Sequence, residues 1–313
     1  MLGIEVRERP SILKDRKKKN LRKNKGNYAW AYFMIAPTLI GLFILNIWPI
    51  IQTIYLSFCS SGDFGKFTWM GGGNYVKILT DRTFWHATVN TFLFVLLSVP
   101  GAICLSLLTA GLLNSKIKGK ALYRTIYFLP VVAAPAAIAM VWRWLYNQEY
   151  GLINHMLLFF GIQGPGWNTD PGIALASIAI VAIWSSVGYN MIILLAGLQN
   201  IPKSYYEAAD IDGANPFRKY FSITLPLLSP TLFFVIVLSV MRALKQFDLV
   251  YMITGIQNPA IRQTRTLVYY FFERGFEMDD KAYASVIIVF LFLIIMLVTW
   301  FQFIIQKKWV YYN

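Results

Sequence analysis

The feature that most constrains this chain is the length of its segments without charged side chains. Seven segments contain no Asp, Glu, Lys or Arg: 26–62, 83–115, 125–142, 150–169, 171–202, 220–241 and 282–306. An α-helix rises 1.5 Å per residue, so about 20 apolar residues cross the hydrocarbon core of a bilayer. Only 14% of the residues are charged, whereas soluble domains average roughly a quarter. The pattern indicates a protein that spans a membrane several times.

Six of the seven segments qualify as membrane spans. The exception is 150–169, where four glycines, a proline, two asparagines and a histidine interrupt the apolar residues. An unsatisfied backbone group costs several kcal/mol in lipid, so this segment is expected to be irregular and to lie outside the membrane or at its interface. Pro37 and Pro49 are expected to kink the first span or mark its ends, and Pro130 and Pro135 to break the third. The predicted all-α fold has six spans, at about 29–57, 86–112, 123–145, 172–198, 222–243 and 282–305.

The distribution of basic residues predicts the orientation of the spans. An even number of spans places both termini on one side, and Lys and Arg concentrate in cytoplasmic segments close to the membrane. Of the 29 Lys and Arg residues, ten precede residue 28, four lie in 114–124, three in 200–222 and two after residue 305. These segments share one side and leave ten basic residues for the other. Both termini and the loop 200–222 are therefore expected in the cytoplasm.

The net charge of +14 is concentrated most densely in one segment. Residues 15–25, directly before the first span, contain seven Lys and Arg and one Asp. Such a segment fits an orientation signal with affinity for anionic lipid, so we expect a lipid bilayer and not a nucleic acid as its partner. Cys59 and Cys104 offer neither a disulfide framework nor metal-ligand spacing. The predicted layout is a basic cytoplasmic tail (1–27), a first transmembrane helix with an outer loop (28–85), a transmembrane core that contains the loop 200–222 (86–306) and a cytoplasmic C-terminus (307–313).

The sequence contains no recognisable site for ATP hydrolysis or for proton coupling. A phosphate-binding loop needs four residues between its first glycine and its Gly-Lys pair, whereas Gly62 and Gly65 enclose two. Proton-driven carriers and ion pumps usually bury carboxylates or histidines in their spans, and none of the six spans clearly does so. We find no metal or nucleophile constellation either, so no catalytic residue is predicted and the chain is not expected to be an enzyme. A self-contained channel or secondary carrier is disfavoured but remains an alternative.

The loop between the fourth and fifth spans, NIPKSYYEAADIDGANPFRKYFSITLP (200–226), carries several local signals. Ser204 and Glu207 have capping-box spacing, Pro202 is also a helix-start signal, and an Asp-Gly pair marks a turn. Asn215 and Pro216 fit an N-cap followed by proline at the first helical position. The pattern predicts a short helix, a glycine turn and a second short helix that continues into span five. The hairpin is either a docking surface for another protein or an ordinary solvated loop.

A spaced motif in this loop resembles a known family. Its pattern is Glu-Ala-Ala, three residues, Gly, nine residues, Ile, one residue and Leu-Pro, which the chain meets with Glu207, Ala208, Ala209, Gly213, Ile223, Leu225 and Pro226. The pattern resembles the signature of the integral membrane subunits of binding-protein-dependent ABC importers. The resemblance implies that the loop is a coupling helix, which inserts into a cleft on the ATP-hydrolysing subunit. The expected coupling residues are Glu207, Ala208, Ala209, Asp212, Gly213 and Phe217.

The resemblance extends along most of the chain. Residues 122–154 look like the third-span region of the carbohydrate-uptake permeases, and 243–255 resemble the maltose-type first permease. The chain departs from that pattern after Gly255, where Gly-Gly-Pro is common in the group, and residues 1–27 are not covered. What the resemblance implies is a type I permease bundle in the bacterial plasma membrane that imports a sugar or oligosaccharide, with a non-sugar solute as the alternative. The implied partners are a second homologous permease, a dimer of ATPase subunits that binds ATP and Mg²⁺, and an extracytoplasmic solute-binding protein; this chain itself needs no cofactor.

The family resemblance also implies a solute path lined by spans four and five. Aromatic faces and side-chain hydrogen bonds suit sugars, and both spans supply such groups near the path. Each candidate also has a structural interpretation, because Trp184 can be a core residue and the charged cluster can mark the end of a helix at the interface. The candidates are Trp184, Tyr189, Asn190, Arg242, Lys245, Gln246 and Asp248.

The predicted topology can be tested with single cysteines in a background without Cys59 and Cys104. Cysteines at Lys14 and Gln306 should resist an impermeant thiol reagent in intact cells, because both positions are predicted inside. A cysteine at Gly72 should react, because it lies in the predicted outer loop. Labelling at Lys14 in intact cells would overturn the orientation.

Overall fold

The structure is a computed structural model that describes residues 28, 30–62, 65–115, 117–255 and 257–311. The basic tail predicted at 1–27 lies outside these residues. The chain divides into two compact units, Met1–Tyr55 and Leu56–Asn313. In the first unit the structure describes an apolar helix that begins at Trp30. The sites discussed below lie in the second unit.

Helices dominate the described residues, as predicted. Those long and apolar enough to cross a membrane are α1 (Trp30–Ser57), α3 (Arg82–Asn114), α7 (Ala174–Gln199), α9 (Pro216–Leu244) and α13 (Lys281–Trp309). A bent pair forms a further candidate span, α4 (Lys120–Val132) with α5 (Pro135–Leu145). The shorter helices are α2 (Gly73–Thr80), α6 (Leu152–Phe159), α8 (Lys203–Ile211), α10 (Asp248–Thr254), α11 (Ile261–Thr264) and α12 (Leu267–Phe272). The outer loop adds an antiparallel pair of strands, β1 (Cys59–Ser61) and β2 (Phe67–Trp69), with Ser60 opposite Thr68.

The third predicted span, 123–145, is a broken helix, as its prolines predict, and the break lies at Pro135. Helices α4 and α5 meet at an angle of 98°. Ala133 and Ala134 between them are extended, with ψ angles of 143° and 133°. The ring of Pro135 disfavours a helical conformation of Ala134, and the same proline is well placed at the first position of α5. Pro130, by contrast, stays inside α4.

The segment 150–169, predicted to be irregular, contains the helix α6 followed by turns. Asn154 on α6 is 8% exposed and organises these turns. Its Nδ2 donates to the backbone oxygens of Gln148 (3.1 Å) and Pro165 (3.2 Å). Its Oδ1 accepts a hydrogen bond from Nε1 of Trp167 at 2.7 Å. Local hydrogen bonds from one buried amide therefore replace the regular structure that glycine and proline prevent.

Two long helices continue through prolines by means of a widened turn. Helix α1 contains both of its prolines, which were predicted to kink or end it, and its π-helical turn Phe43–Ile47 ends two residues before Pro49. The turn Tyr220–Thr224 of α9 has the same relation to Pro226. Proline lacks an N–H and crowds the preceding turn, so an extra residue in that turn relieves the crowding.

The core of the second unit depends on close contact between α3, α7 and α4. Helix α7 packs against α3 along much of its length and also against α4 and α9. Gly188 of α7 lies where an added Cβ would come within 2.0 Å of the backbone oxygen of Tyr127 on α4. No side chain fits there without moving a helix. Met191 and Leu194 of α7 are buried in one hydrophobic cluster with Leu228 of α9.

A charged and aromatic cluster joins the start of α3 to α12 and α13. Asp81 caps α3, because its Oδ1 accepts a hydrogen bond from the backbone N–H of Thr83 at 2.8 Å. Its Oδ2 accepts from the hydroxyls of Tyr270 (2.5 Å) and Tyr283 (2.6 Å). Arg274 donates from Nε to the hydroxyl of Tyr270 at 2.9 Å. One carboxylate therefore holds three separate helices together.

The cluster makes a prediction about stability against pH. Burial by itself raises the pKa of Asp81, but hydrogen bonds from two tyrosines and two backbone N–H groups outweigh it, so the pKa lies below its ordinary value of 3.8. The stabilisation is therefore complete above pH 3.8 and is lost as the pH falls through the folded-state pKa. Asp81→Asn keeps an N-cap acceptor but loses the charge that both tyrosines contact. Thermal unfolding of the purified protein should show a lower melting temperature for Asp81→Asn at neutral pH and a smaller loss on acidification. The same dependence of melting temperature on pH in the wild type and in Asp81→Asn would contradict the stabilising role of the Asp81 carboxylate.

Candidate functional site

The loop 200–222 forms the predicted helical hairpin. Helix α8 ends at Ile211, and the turn that follows contains Gly213 at φ +66°, a conformation that glycine adopts without strain. Asn215 caps α9, and its side-chain oxygen accepts from the backbone N–H of Arg218 at 2.8 Å. Pro216 occupies the first helical position. The glycine turn and the second cap are confirmed.

The first cap differs from its prediction. The N-cap of α8 is Pro202, with no capping hydrogen bond from a side chain, so the capping box of Ser204 and Glu207 does not form. Pro202 occupies the N-cap position because its fixed φ and its extended ψ of 136° match the backbone conformation of the residue before a helix. Glu207 is consequently exposed, and its carboxylate forms none of the ion pairs found among the described residues. Its side chain is available to another protein.

The exposed face of the hairpin is unusually apolar. Phe217, a predicted coupling residue, is 77% exposed, and Ile211 beside the turn is 88% exposed. Ala208 and Asp212 are exposed as well, whereas Ala209 is buried. Ala209 therefore packs inside the hairpin and is not part of its surface, in contrast to its predicted place. Ile211 was missed, although an isolated apolar residue between two aspartates was a signal for it.

The hairpin is fastened to α9 at two points. Lys219 on the first turns of α9 forms an ion pair with Asp210 on α8. The hydroxyls of Tyr206 on α8 and Thr224 on α9 are 2.9 Å apart and share a hydrogen bond. A force on α8 therefore acts directly on the start of α9.

A cavity of about 380 Å³ lies near the other end of α9, between α3, α7 and the α4–α5 break. It collects four of the seven predicted path residues: Tyr189, Arg242, Gln246 and Asp248. The α4–α5 break contributes Pro130, Ala133 and Pro135 to the wall. The structure adds four hydroxyl groups from residues of the predicted spans, namely Ser98, Ser185, Ser186 and Ser239. Sequence alone shows that such serines are inside, but not that they face one cavity.

A buried network positions the guanidinium in this cavity. Asn190 is fully buried, and its Nδ2 donates to the hydroxyl of Ser239 at 3.1 Å. The amide oxygen then faces Arg242, whose Nη2 donates to it at 3.0 Å. The guanidinium also lies over the ring of Tyr189, 4.5 Å from the ring centre. Asn190 thus acts behind the cavity wall and not in it.

The two remaining path candidates lie elsewhere. Trp184 is 45% exposed, is not part of the cavity wall and packs edge-on against Trp142, with ring centres 5.6 Å apart. Lys245 follows the last residue of α9 and is exposed outside the wall. The helical period explains the position of Trp184, because only one face of α7 can point toward the cavity. Lys245 lies past the end of α9, where the backbone is no longer helical.

Comparison with known proteins identifies the family. Residues 87–311 match the family described as "Binding-protein-dependent transport system inner membrane component". The chain belongs to this family. It is therefore a permease subunit of an ABC importer and a multi-pass protein of the inner membrane. Its relatives are transport permeases, which are not enzymes.

Relatives of this permease match it along most of its length. The probable ABC transporter permease protein YesP of Bacillus subtilis (strain 168) is 35% identical over 302 residues, which cover 96% of this chain and 97% of that protein. The lactose transport system permease protein LacF of Rhizobium radiobacter is 35% identical over 283 residues, 88% of this chain and 94% of that protein. A solved bacterial ABC transporter involved in the import of the acidic polysaccharide alginate matches with a TM-score of 0.83 at 21% identity, over 92% of this chain and 99% of that chain. The fold is that of the type I ABC permeases.

Proposed function

We propose that this permease imports a sugar or oligosaccharide and that helix α9 transmits the work of ATP hydrolysis to the solute cavity. The observation that carries the proposal is the continuity of α9 between the two sites. Its first turns are fastened to α8 of the exposed hairpin, its last turn places Arg242 at the cavity, and Gln246 lines the cavity just beyond the end of the helix. The helix has 29 residues and is therefore about 43 Å long, which exceeds the hydrocarbon core of a bilayer.

The hairpin fits the role of an ATPase-docking surface in the cytoplasm. An apolar tip with Ile211 and Phe217 exposed is costly in water and favourable once a partner covers it. Glu207 beside the tip adds a carboxylate that can meet a cation of the partner. Both termini share this side of the membrane with the hairpin. ATP and Mg²⁺ bind to the partner ATPase dimer, and this chain contributes the mechanical contact.

The cavity fits a sugar-sized solute. Its volume of about 380 Å³ falls in the range of small-molecule sites, and it combines an aromatic face with several hydrogen-bonding groups. The ring of Tyr189 can stack on a pyranose face, while Gln246, Asp248 and the serine hydroxyls can bond to sugar hydroxyls. A second homologous permease completes the path, and an extracytoplasmic solute-binding protein delivers the solute. The relative named for lactose transport supports a carbohydrate as the solute.

The docking role predicts a loss of coupling when the hairpin surface is changed. Phe217→Ala should weaken ATPase binding by about 2 kcal/mol, because truncation of an anchor residue in an interface typically costs this much. Glu207→Gln should also weaken it through loss of the charge contact, and Gly213→Leu should do so through strain at positive φ. All three variants should remain in the membrane. Co-purification of the ATPase and solute-stimulated ATP hydrolysis measure the effect.

Matched controls are available in segments predicted to lie outside the cell. Phe160 is 75% exposed and follows α6, and Glu149 is exposed and follows α5. Phe160→Ala and Glu149→Gln should leave ATPase retention unchanged. Full retention and full stimulated hydrolysis in Phe217→Ala and Glu207→Gln would show that the hairpin is not the ATPase contact.

The proposal also predicts that the chain does not work alone. The purified permease should hydrolyse no ATP, because its sequence has no phosphate-binding loop. Reconstituted vesicles should take up sugar only when the ATPase, the second permease and the solute-binding protein are all present. Uptake by this chain alone would favour a secondary carrier instead.

A further inference from the structure

We propose that the imported saccharide carries a negative charge and that Arg242 binds its acidic group. This inference rests on the proposed function, because it names the class of solute for the same cavity. It extends that function from carbohydrates in general to saccharides with a carboxylate, sulfonate or phosphate group.

The first argument is that Arg242 has only neutral partners. Its Nη2 donates to the amide of Asn190, its Nε approaches the backbone oxygen of Leu238 at 3.4 Å, and its face lies over Tyr189. Within the described part of the chain, the ion pairs are Lys219–Asp210, Arg265–Glu273 and Lys281–Asp279. The guanidinium therefore brings an uncompensated positive charge to the cavity wall.

The second argument is that the chain holds this charge in place. Arg242 lies in the last turn of α9, where a long side chain can reach toward water. Arg242 is exposed, and its guanidinium is anchored by Asn190, which is fully buried and is itself fixed by Ser239. A buried amide that must satisfy its own hydrogen bonds is costly to place inside a helix pair. The Asn190 amide orients the guanidinium of Arg242. This arrangement is explained if the cavity receives a planar or tetrahedral anion, because a guanidinium binds such an anion through two parallel hydrogen bonds.

The third argument is the polarity of the cavity. Asp248 also lines the wall, but it forms no ion pair with Arg242. Their charged atoms are thus more than the ion-pair distance apart, and the cavity has one cationic and one anionic region. A saccharide can place its acidic group against Arg242 and its hydroxyls against Asp248 and Gln246. A carboxylate accepts hydrogen bonds from sugar hydroxyls and repels a second acidic group, so one acidic group at one end of the solute fits best.

The test measures ATP-dependent uptake by the complete transporter in membrane vesicles. The probes are a glucuronate-containing disaccharide, a sugar phosphate and a sugar sulfonate, each paired with its neutral counterpart, which is the methyl ester or the parent sugar. At least one acidic probe should be transported in preference to its neutral counterpart. Arg242→Gln should lower that uptake about 10- to 100-fold, as expected for loss of a charge-assisted hydrogen bond. Arg242→Lys should retain a part of it.

Lys245→Gln is the matched control, because it removes the same charge three residues further along, outside the cavity wall. It should leave the preference for the acidic probe unchanged. Uptake of neutral saccharides only would overturn the inference while leaving the proposed function in place. An equal effect of Arg242→Gln on acidic and neutral uptake would also overturn it, since the guanidinium would then be a packing contact. Loss of the second permease from the Arg242→Gln complex would overturn it as well, since the guanidinium would then be a subunit contact. ATP-dependent uptake of no saccharide at all would refute the proposed function and, with it, this inference.

Discussion

The structure depends on the rule that a backbone polar group in hydrocarbon must have a hydrogen-bond partner. Long helices satisfy it directly, and α9 keeps its helical path past Pro226 by widening one turn. The interruption at Ala133 and Ala134 is instead placed at the wall of the polar cavity. Irregular backbone is tolerated there, because a cavity wall can be hydrated or can face a solute. The need for backbone hydrogen bonds therefore keeps most of the spans helical and confines the irregular backbone to the cavity wall.

In the proposed mechanism the solute site moves when a remote partner changes shape, and α9 is the rigid route for this movement. Its N-terminal turns are held to α8 by the Lys219–Asp210 ion pair and by the Tyr206 and Thr224 hydroxyls. Its C-terminal turn carries Arg242 into the cavity. Since a helix transmits displacement along its axis with little deformation, the hairpin and the cavity are expected to move as one element. The close approach at Gly188 shows that α7 and α4 leave little room for independent motion.

Electrostatics distinguishes the two ends of the permease. The hairpin presents apolar side chains with carboxylates beside them, which suits a protein partner that covers the surface. The cavity presents an oriented guanidinium and, beyond ion-pair distance from it, the carboxylate of Asp248, which suits a small polar solute. Arg242 is held by a buried amide and an aromatic ring and not by a carboxylate. A guanidinium that forms no ion pair among the described residues is more strongly attracted to an anionic ligand than one that is already paired.

The sequence by itself determined the membrane class, the approximate spans and the glycine turn at Gly213, because these follow from local composition and local backbone preferences. It could not determine which side chains meet across helices. Ser204 and Glu207 had the spacing of a capping box, yet Pro202 took the cap position. Tyr189 and Arg242 reached one cavity while Trp184 and Lys245 did not. The reason is physical: hydropathy and capping depend on neighbours in the chain, whereas the direction of each helix face depends on how α3, α4, α7 and α9 pack.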